Sequence, residues 1–407
     1  MNFLTFVREN ARWLVGAFLL TLFSTFGQTV FISLSAGHIR SEYGLSDGGF
    51  GTLYMAATLA SAMTLPQFGK IVDRYSPMAV TLLIVPGLAL ACVLMAASHS
   101  IVMLVVTIYM LRLFGQGMMT HNAMTATARW FVAQRGKAVS VVTQGVNAGS
   151  AIFPITFVVV STAIGWRQSW VVAGVLLLVV ALPLIVSFIR VDRTPRASDP
   201  QPRFQPGRDW TRHEVVRDPL FYLLLMGVMA PPFIGTSIFF HQIHLVELRG
   251  WSLEVFGSSF ALMSTLTVIF ALVSGHLIDR FSAVALLPGF LLPLGVACLV
   301  LGFFTGQWSV FAFMTLLGIS SGFSWTLFGA LWVEVYGSRH LGSVRALIES
   351  AMVLASAIGP GLTGVLIDTG VALPAQIVAM GLYCLVVSFA MPGASRRISL
   401  RLATDRK

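Results

Sequence analysis

The chain has 407 residues, of which 56% are hydrophobic and only 10% carry a charge, and its formal net charge is +10. Soluble domains carry about 25% charged residues, so this composition excludes an ordinary water-exposed globular protein and predicts that lipid surrounds most of the chain. A charge of +10 on a soluble protein would suggest nucleic-acid binding. Here the basic residues lie in short connections between apolar runs, which predicts a membrane topology and no nucleic-acid partner.

Long apolar runs follow one another along the whole chain, and a membrane-spanning helix needs about 20 such residues. Twelve runs qualify: 13–36, 49–68, 78–98, 101–125, 138–163, 169–189, 220–244, 256–278, 284–304, 308–334, 344–367 and 372–391. The fold class we predict is an all-α membrane protein with 12 transmembrane helices in two six-helix bundles. The bundles are residues 1–189 and 220–407, joined by a Pro- and Arg-rich linker at 190–219.

A short charged motif occurs twice, as Gly69-Lys-Ile-Val-Asp73-Arg74 and as Gly275-His-Leu-Ile-Asp279-Arg280, with a displacement of 206 positions. The same displacement relates Gly44 to Gly250, Ser46 to Ser252, Cys92 to Cys298 and Pro154 to Pro360. We interpret each motif as a charged turn between two spanning helices. An ordered series at one displacement predicts a duplicated unit, and repeats of apolar helices are typical of transporters.

The distribution of basic residues predicts the orientation. If the N-terminus is cytoplasmic, the inside segments hold 22 of the Lys and Arg residues and the outside loops hold three. Positive charge is enriched on the cytoplasmic side, so both termini are predicted to be cytoplasmic. The first apolar run is too long for a cleavable signal peptide and lacks a small-residue cleavage site.

Twelve helices in two halves, with G-x-x-x-D-R after the second and the eighth, resemble the major facilitator superfamily. The resemblance implies two bundles that rock around a central cavity lined by helices 1, 4, 7 and 10. It also implies a gating role for the two motifs, namely for Gly69, Asp73, Arg74, Gly275, Asp279 and Arg280. In this chain Tyr75-Ser-Pro-Met78 replaces the Gly and basic residues that continue the family motif. The alternative is a hydrophilic turn that only fixes topology.

Arg112 lies near the middle of the fourth apolar run, and charge within a membrane is costly enough to suggest a function. Its surroundings, Arg112-Leu-Phe-Gly115-Gln116-Gly117, are similar to the R-x-x-Q-G motif of proton-coupled family members, with Gly115 at the expected Gln position. One interpretation is a residue for proton coupling or for binding an anionic substrate. The other is an Arg that pairs with a neighbouring helix or extends to the interface.

Helical spacing on the four expected lining helices predicts a cavity of aromatic rings and neutral polar groups. Its predicted members are Gln28, Phe31, Arg112, Gln116, Phe233, Ser237, Phe240, Trp325 and Phe328. Aromatic stripes in membrane helices also face lipid or pack in the core, and this alternative stays open. His241 and His244 can exchange protons near neutral pH, yet both lie close to the predicted outer end.

The sequence contains no P-loop and no catalytic constellation, so we predict a transporter and not an enzyme. Segments 26–33, 43–46 and 239–242 resemble a bacterial branch that contains CcoA-like copper importers and RfnT-like riboflavin importers, which implies the bacterial inner membrane. The aromatic cavity favours riboflavin or a similar flat heterocycle, brought in by symport. The alternatives are copper import and proton-coupled import of a carboxylate bound by Arg112. We predict a monomer with no cofactor and no metal site, whose partners are the lipid bilayer, the solute and a possible coupling proton.

Overall fold

The computed structural model describes residues 3–131, 135–193, 209–337 and 341–404, and these residues contain helices and connections but no β-strand. By its contacts the chain divides into two compact units. The first unit comprises Met1–Pro202 together with Phe239–His244. The second comprises Arg203–Ile238 and Leu245–Lys407.

The helices of the first unit are numbered here in chain order. They are α1 (Phe3–Glu9), α2 (Ala11–Phe23), α3 (Thr29–Ile32), α4 (Ala36–Tyr43), α5 (Asp47–Arg74), α6 (Pro77–Ala97), α7 (Ile101–Met110), α8 (Thr120–Trp130), α9 (Arg135–Ile164), α10 (Trp166–Leu176) and α11 (Leu182–Ile189). Segments of other helical type join some of them. These are 3-10 turns at Ser24–Gly27 and Ser33–Ser35, and π-helical stretches at Leu111–Met119 and Leu177–Ala181.

The remaining helices belong mainly to the second unit. They are α12 (Arg212–Arg217), α13 (Pro219–Phe240), α14 (Gln242–Arg249), α15 (Leu253–Phe281), α16 (Ala283–Leu286), α17 (Leu292–Phe303), α18 (Trp308–Tyr336), α19 (Leu341–Asp368) and α20 (Leu373–Thr404). The end of α13 and the start of α14 form the stretch that packs with the first unit.

Most of the predicted spans are present as continuous helices. Within the described residues, ten helices are long and apolar enough to cross a bilayer, and a bent pair at Ala11–Gly27 and Thr29–Tyr43 makes up to eleven. The second predicted run lies in α5, a 28-residue helix that is not one of these eleven. The count is therefore lower than the twelve that we predicted, although most residues of every predicted run are helical.

The sequence repeat is also a structural repeat. Before α5 and α15 the chain turns through a glycine in the left-handed region, Gly44 with φ 61° and Gly250 with φ 64°, where a side chain would be strained. A serine then caps each helix: Ser46 Oγ accepts from the backbone N–H of Gly49, and Ser252 Oγ accepts from that of Val255. A left-handed glycine followed by a serine cap thus starts both α5 and α15, the corresponding helices of the two halves.

The two charged motifs are helical and not turns, which corrects the sequence prediction. Gly69–Arg74 forms the last turns of α5, and Gly275–Arg280 lies within α15, which ends at Phe281. The chain reverses only afterwards, at Tyr75–Ser76 and at Ser282, where Ser76 and Ser282 cap the helices that follow. No residue between Gly69 and Arg74 breaks helical hydrogen bonding, so the helix continues to the charged end.

The predicted linker lies largely outside the described residues, since its stretch 194–208 is not among them. Its last part folds as α12, which begins with a capping box between Thr211 and Glu214. Beyond it, the carboxylate of Asp218 pairs with Arg401 at 2.7 Å and accepts a hydrogen bond from the hydroxyl of Tyr336 at 3.0 Å. This buried cluster joins the start of α13 to the end of α20.

Replacing Arg401 with alanine is expected to destabilise the protein by about 3 kcal/mol, because it leaves the buried Asp218 carboxylate without its charge partner. The measurement is the thermal unfolding of purified protein. Arg397→Ala is the matched control, since Arg397 is exposed on the same helix and is expected to change stability little. Equal melting temperatures for the two variants would contradict the structural role of the pair.

Candidate functional site

The first membrane helix is broken near its middle. Helix α2 passes into the 3-10 turn Ser24–Gly27, and Gln28 is extended, with φ −82° and ψ 152°, before α3 begins at Thr29. The two parts are bent by 41°. A break frees backbone groups from the helical ladder, and membrane proteins tolerate freed groups where protein or a cavity satisfies them.

The fourth membrane helix is also irregular, and it meets the first helix at this break. Its π-helical stretch Leu111–Met119 contains Gly115, which lies directly against Gly27. A Cβ at Gly115 would lie 2.6 Å from the Cα of Gly27, and a Cβ at Gly27 would lie 2.2 Å from the carbonyl oxygen of Leu111. Only two glycines allow the backbones to approach so closely. π-Helical stretches often mark functional sites.

This close crossing places Arg112 against the break. Its Nη1 donates to the carbonyl oxygen of Gly27 at 3.1 Å and lies 3.4 Å from Oγ1 of Thr29. The hydroxyls of Thr29 and Tyr54 are hydrogen-bonded at 2.7 Å, and the guanidinium lies 5.6 Å from the centre of the Tyr54 ring. Arg112 is only 3% exposed, so these groups position a buried cation.

Arg112 has no anionic partner among the described residues. No carboxylate of that part of the chain lies within 4.0 Å of it, and its buried Nε has no hydrogen-bond partner. An uncompensated buried charge is costly, and a guanidinium edge matches the two oxygens of a carboxylate or sulfonate. One turn further, the buried Oε1 of Gln116 also lacks a donor. The site therefore offers one unsatisfied buried N–H group, on Arg112, that is suited to an anion, and one unsatisfied acceptor, on Gln116.

The duplication indicates that the fold itself does not require this charge. With the displacement of 206, the position of Arg112 corresponds to Gly318. Gly318 packs tightly, because a Cβ there would lie 2.5 Å from the carbonyl oxygen of Met263. The corresponding position in the other half is thus an apolar helix contact, and the charge is specific to the first half.

Aromatic residues surround one side of the Arg112 site in the first unit. Phe240 contacts the ring of Tyr54, with centroids 4.6 Å apart, and stacks on Phe50 at 4.9 Å. Phe31 is 1% exposed and packs edge-on against Phe26 at 4.8 Å and Trp170 at 5.1 Å, so its ring lies in the packed core. Gln28, at the break itself, is half-buried.

The other predicted cavity residues belong to the second unit. Trp325 exposes 65% of its surface, whereas Phe328 is buried and meets Phe290 edge-on with centroids 5.6 Å apart. Phe233 is half-buried. Ser237 is fully buried against α19, where a Cβ at Gly359 would lie 2.5 Å from its Oγ. The structure thus places Arg112, Gln116 and the Tyr54–Phe240 contact in the first unit. The other predicted cavity residues lie in the second unit, namely Phe233, Ser237, Trp325 and Phe328.

The predicted gating residues lie at the ends of α5 and α15. A Cβ at Gly69 would lie 3.2 Å from Nε2 of His121, so Gly69 packs under the histidine ring of α8, whereas Gly275 makes only ordinary contact with Thr326. Arg74 and Arg280 are exposed. The side chains of Asp73 and Asp279 are outside the described part of the structure, and the gating role stays a prediction.

Three residues of the site were absent from the sequence prediction: Gly27, Thr29 and Tyr54. Helical periodicity placed Gln28 and Phe31 on one face, but the break at Gln28 changes the register of everything after it. The available signal was the paired glycines, Gly27 and Gly115, on two helices that were expected to line the cavity. Close backbone approach is what small residues permit in membrane helices.

Comparison with known proteins decides the family. The family profile of the Major Facilitator Superfamily matches residues 17–267 and 235–397, which together cover most of the chain. The chain belongs to the Major Facilitator Superfamily. This confirms the predicted all-α membrane fold built from two repeated halves, and the family match points to a transporter.

One relative matches part of the chain. The chain is 29% identical over 167 residues to the "Probable sulfoacetate transporter SauU" of Cupriavidus necator. That match covers 41% of this chain and 39% of the relative, so it spans less than half of either protein. The resemblance to copper and riboflavin importers stays a prediction.

Solved structures support the fold alone. A bacterial homologue of the human lysosomal transporter Spinster, in an inward-facing unoccupied state, aligns with a TM-score of 0.74 at 17% identity over 97% of this chain and 98% of that one. Its occupied inward-facing structure aligns with a TM-score of 0.65 at 18% identity over 96% and 94% of the two chains. Almost all of the chain thus shares the fold of these two structures.

Proposed function

We propose that this superfamily member transports a small organic anion, a carboxylate or a sulfonate, which binds Arg112. The single observation that carries the proposal is the buried guanidinium of Arg112, whose Nε has no partner and which no described carboxylate neutralises. A bound anion would supply the missing charge and accept two parallel N–H···O hydrogen bonds.

Two further observations support an anion. The helix break at Gln28 lies beside Arg112, and interrupted helices are where many secondary transporters hold their substrates. The sulfonate named for the relative SauU carries anionic groups of the kind that a guanidinium recognises. The two matched halves favour alternating access as the transport mechanism.

The test is ligand-dependent thermal stabilisation of the purified protein. The ligand panel contains acetate, succinate, sulfoacetate, riboflavin and a copper salt. Only a ligand that binds the folded state raises the melting temperature, and saturation at about 100 times Kd corresponds to about 2.7 kcal/mol. We expect stabilisation by at least one of the anions. Stabilisation by riboflavin or copper alone would contradict the proposal.

Riboflavin, or another flat heterocycle, is the second candidate, and one observation favours it. The indole of Trp325 is 65% exposed, so its face is available for stacking. If riboflavin is the ligand, Trp325→Ala is expected to weaken the stabilising effect of riboflavin, and Phe328→Ala serves as a control at a buried ring on the same helix.

Copper import is the third candidate function. The described residues contain no group of three or more His, Cys, Asp or Glu side chains able to hold a metal ion.

A further inference from the structure

The short segment Phe239–His244 connects α13 to α14 and packs with the first unit. Its most buried polar side chain is Gln242, which is 0% exposed. The Nε2 of Gln242 donates to Oγ of Ser33 at 2.8 Å and to the carbonyl oxygen of Val30 at 3.1 Å. These bonds hold the segment against the second half of the broken first helix.

A charged contact holds the end of the same segment. Nδ1 of His244 lies 3.0 Å from Oδ2 of Asp47, the first residue of α5, and Nη1 of Arg40 lies 2.5 Å from the same oxygen. The Asp47 side chain is 13% exposed and the His244 side chain 23%. Asp47 therefore joins α4, α5 and the 239–244 segment through one carboxylate.

We propose that the Asp47–His244 pair is a proton-binding site that fastens the 239–244 segment to the first unit. A protonated imidazole forms a charge-assisted hydrogen bond with the carboxylate, whereas a neutral imidazole forms only an ordinary one. Proton binding thus tightens the contact, and proton release loosens it. This inference is independent of which solute the protein carries.

In the described part of the chain, the titratable groups near the pair lie on α4, on the 239–244 segment and on α14, where Glu247 follows His244 by three residues. Arg40 on α4 faces Asp47, and His241 lies close enough to favour the ionised carboxylate. The other charged group of α4, Glu42, faces away, because it pairs with Arg167 at 2.5 Å. His38 likewise faces away and stacks on the ring of Trp166.

The charge of Asp47 fixes the sign of the pH dependence. Burial raises the pKa of Asp47, but the hydrogen bond with His244 and the electrostatic interactions with Arg40, His244 and His241 outweigh burial and hold the pKa below its usual value. A lowered pKa means that the carboxylate stays ionised throughout the neutral range. Histidine is the side chain type that exchanges protons there, so the contact weakens as the pH rises.

The test is hydrogen–deuterium exchange of the purified protein in lipid nanodiscs. After correction for the intrinsic exchange rate, amides of 29–35 and 240–247 are expected to exchange roughly threefold to tenfold faster at about pH 8 than at about pH 6. His244→Gln keeps a hydrogen-bonding side chain that cannot titrate, so this difference is expected to vanish. Asp47→Asn is expected to exchange fast at both pH values.

Two control variants isolate the pair. His241→Gln is expected to keep the pH dependence, since its ring is not the one bonded to Asp47. Glu42→Gln breaks a different ion pair of α4 and is expected to keep it as well. A wild type without pH dependence, or a dependence that survives in His244→Gln, would overturn the proposal. Because no solute enters the assay, failure of the anion proposal would leave this result unaffected.

Discussion

Replacing Arg112 with glutamine is expected to abolish transport of the anionic solute, with a loss of at least about 100-fold in uptake. The change removes the only charge that the described residues place in the site, and a charged hydrogen-bonded pair that loses one partner in a buried setting costs about 3–5 kcal/mol. The measurement is uptake into proteoliposomes of the anion that stabilises the purified protein. Arg112→Lys keeps the charge but loses the planar fork, so we expect partial activity.

The loss must be separated from misfolding. Removing an uncompensated buried charge is expected to leave the melting temperature of the ligand-free protein unchanged or higher, because the cation has no anionic partner among the described residues. Arg129→Gln is the matched control, since Arg129 is exposed further along the same membrane helix and should keep full uptake. Full uptake by the Arg112→Gln variant would contradict the anion proposal and indicate that Arg112 has only a structural role.

Replacing Gly115 with valine is expected to prevent correct folding or to lower stability by more than about 3 kcal/mol, beyond the usual cost of overpacking. A Cβ at Gly115 would lie 2.6 Å from the Cα and 2.8 Å from the backbone nitrogen of Gly27, so backbone would have to move. Folded yield in detergent and the melting temperature report the effect. Gly115→Ala is expected to be intermediate.

A glycine with free space around it provides the comparison. A Cβ at Gly329 in α18 would meet no atom within 4 Å, so Gly329→Val is expected to change stability by less than about 1 kcal/mol. Gly117, two residues beyond Gly115, is a second comparison. The nearest atom to a Cβ there is Cδ1 of Leu65 at 3.0 Å, a flexible side-chain end that can shift. If Gly115→Val behaves like Gly329→Val, the close crossing of the two helices is not required.

Much of the fold follows from local rules that a sequence displays. Apolar length predicted the spans, and the fixed displacement of 206 predicted the duplication that Gly44 and Gly250 repeat in their backbone angles. Glycine in a left-handed turn and serine at a helix start act over a few residues. Such signals are readable in one sequence because their cause lies within a single turn of chain.

The site was less predictable because its geometry comes from contacts between distant residues. The intramembrane charge identified Arg112, but its partners Gly27, Thr29 and Tyr54 depend on where the first helix breaks. A regular period of 3.6 cannot place residues across a break. For that reason the periodicity assigned Phe31 to the cavity, whereas its ring lies in the packed core. The charged motifs were interpreted as turns for a related reason: charge suggested a loop, whereas backbone hydrogen bonding continues the helix to Arg74.

One phenol connects the Arg112 site to the 239–244 segment. Tyr54 bonds to Thr29 beside the guanidinium, and it also receives the ring of Phe240 from the 239–244 segment. Evolution towards a new solute by changing Tyr54 would therefore also disturb how firmly that segment is held. We expect variants at this position that change the accepted solute to change the exchange rates of the 239–244 segment as well.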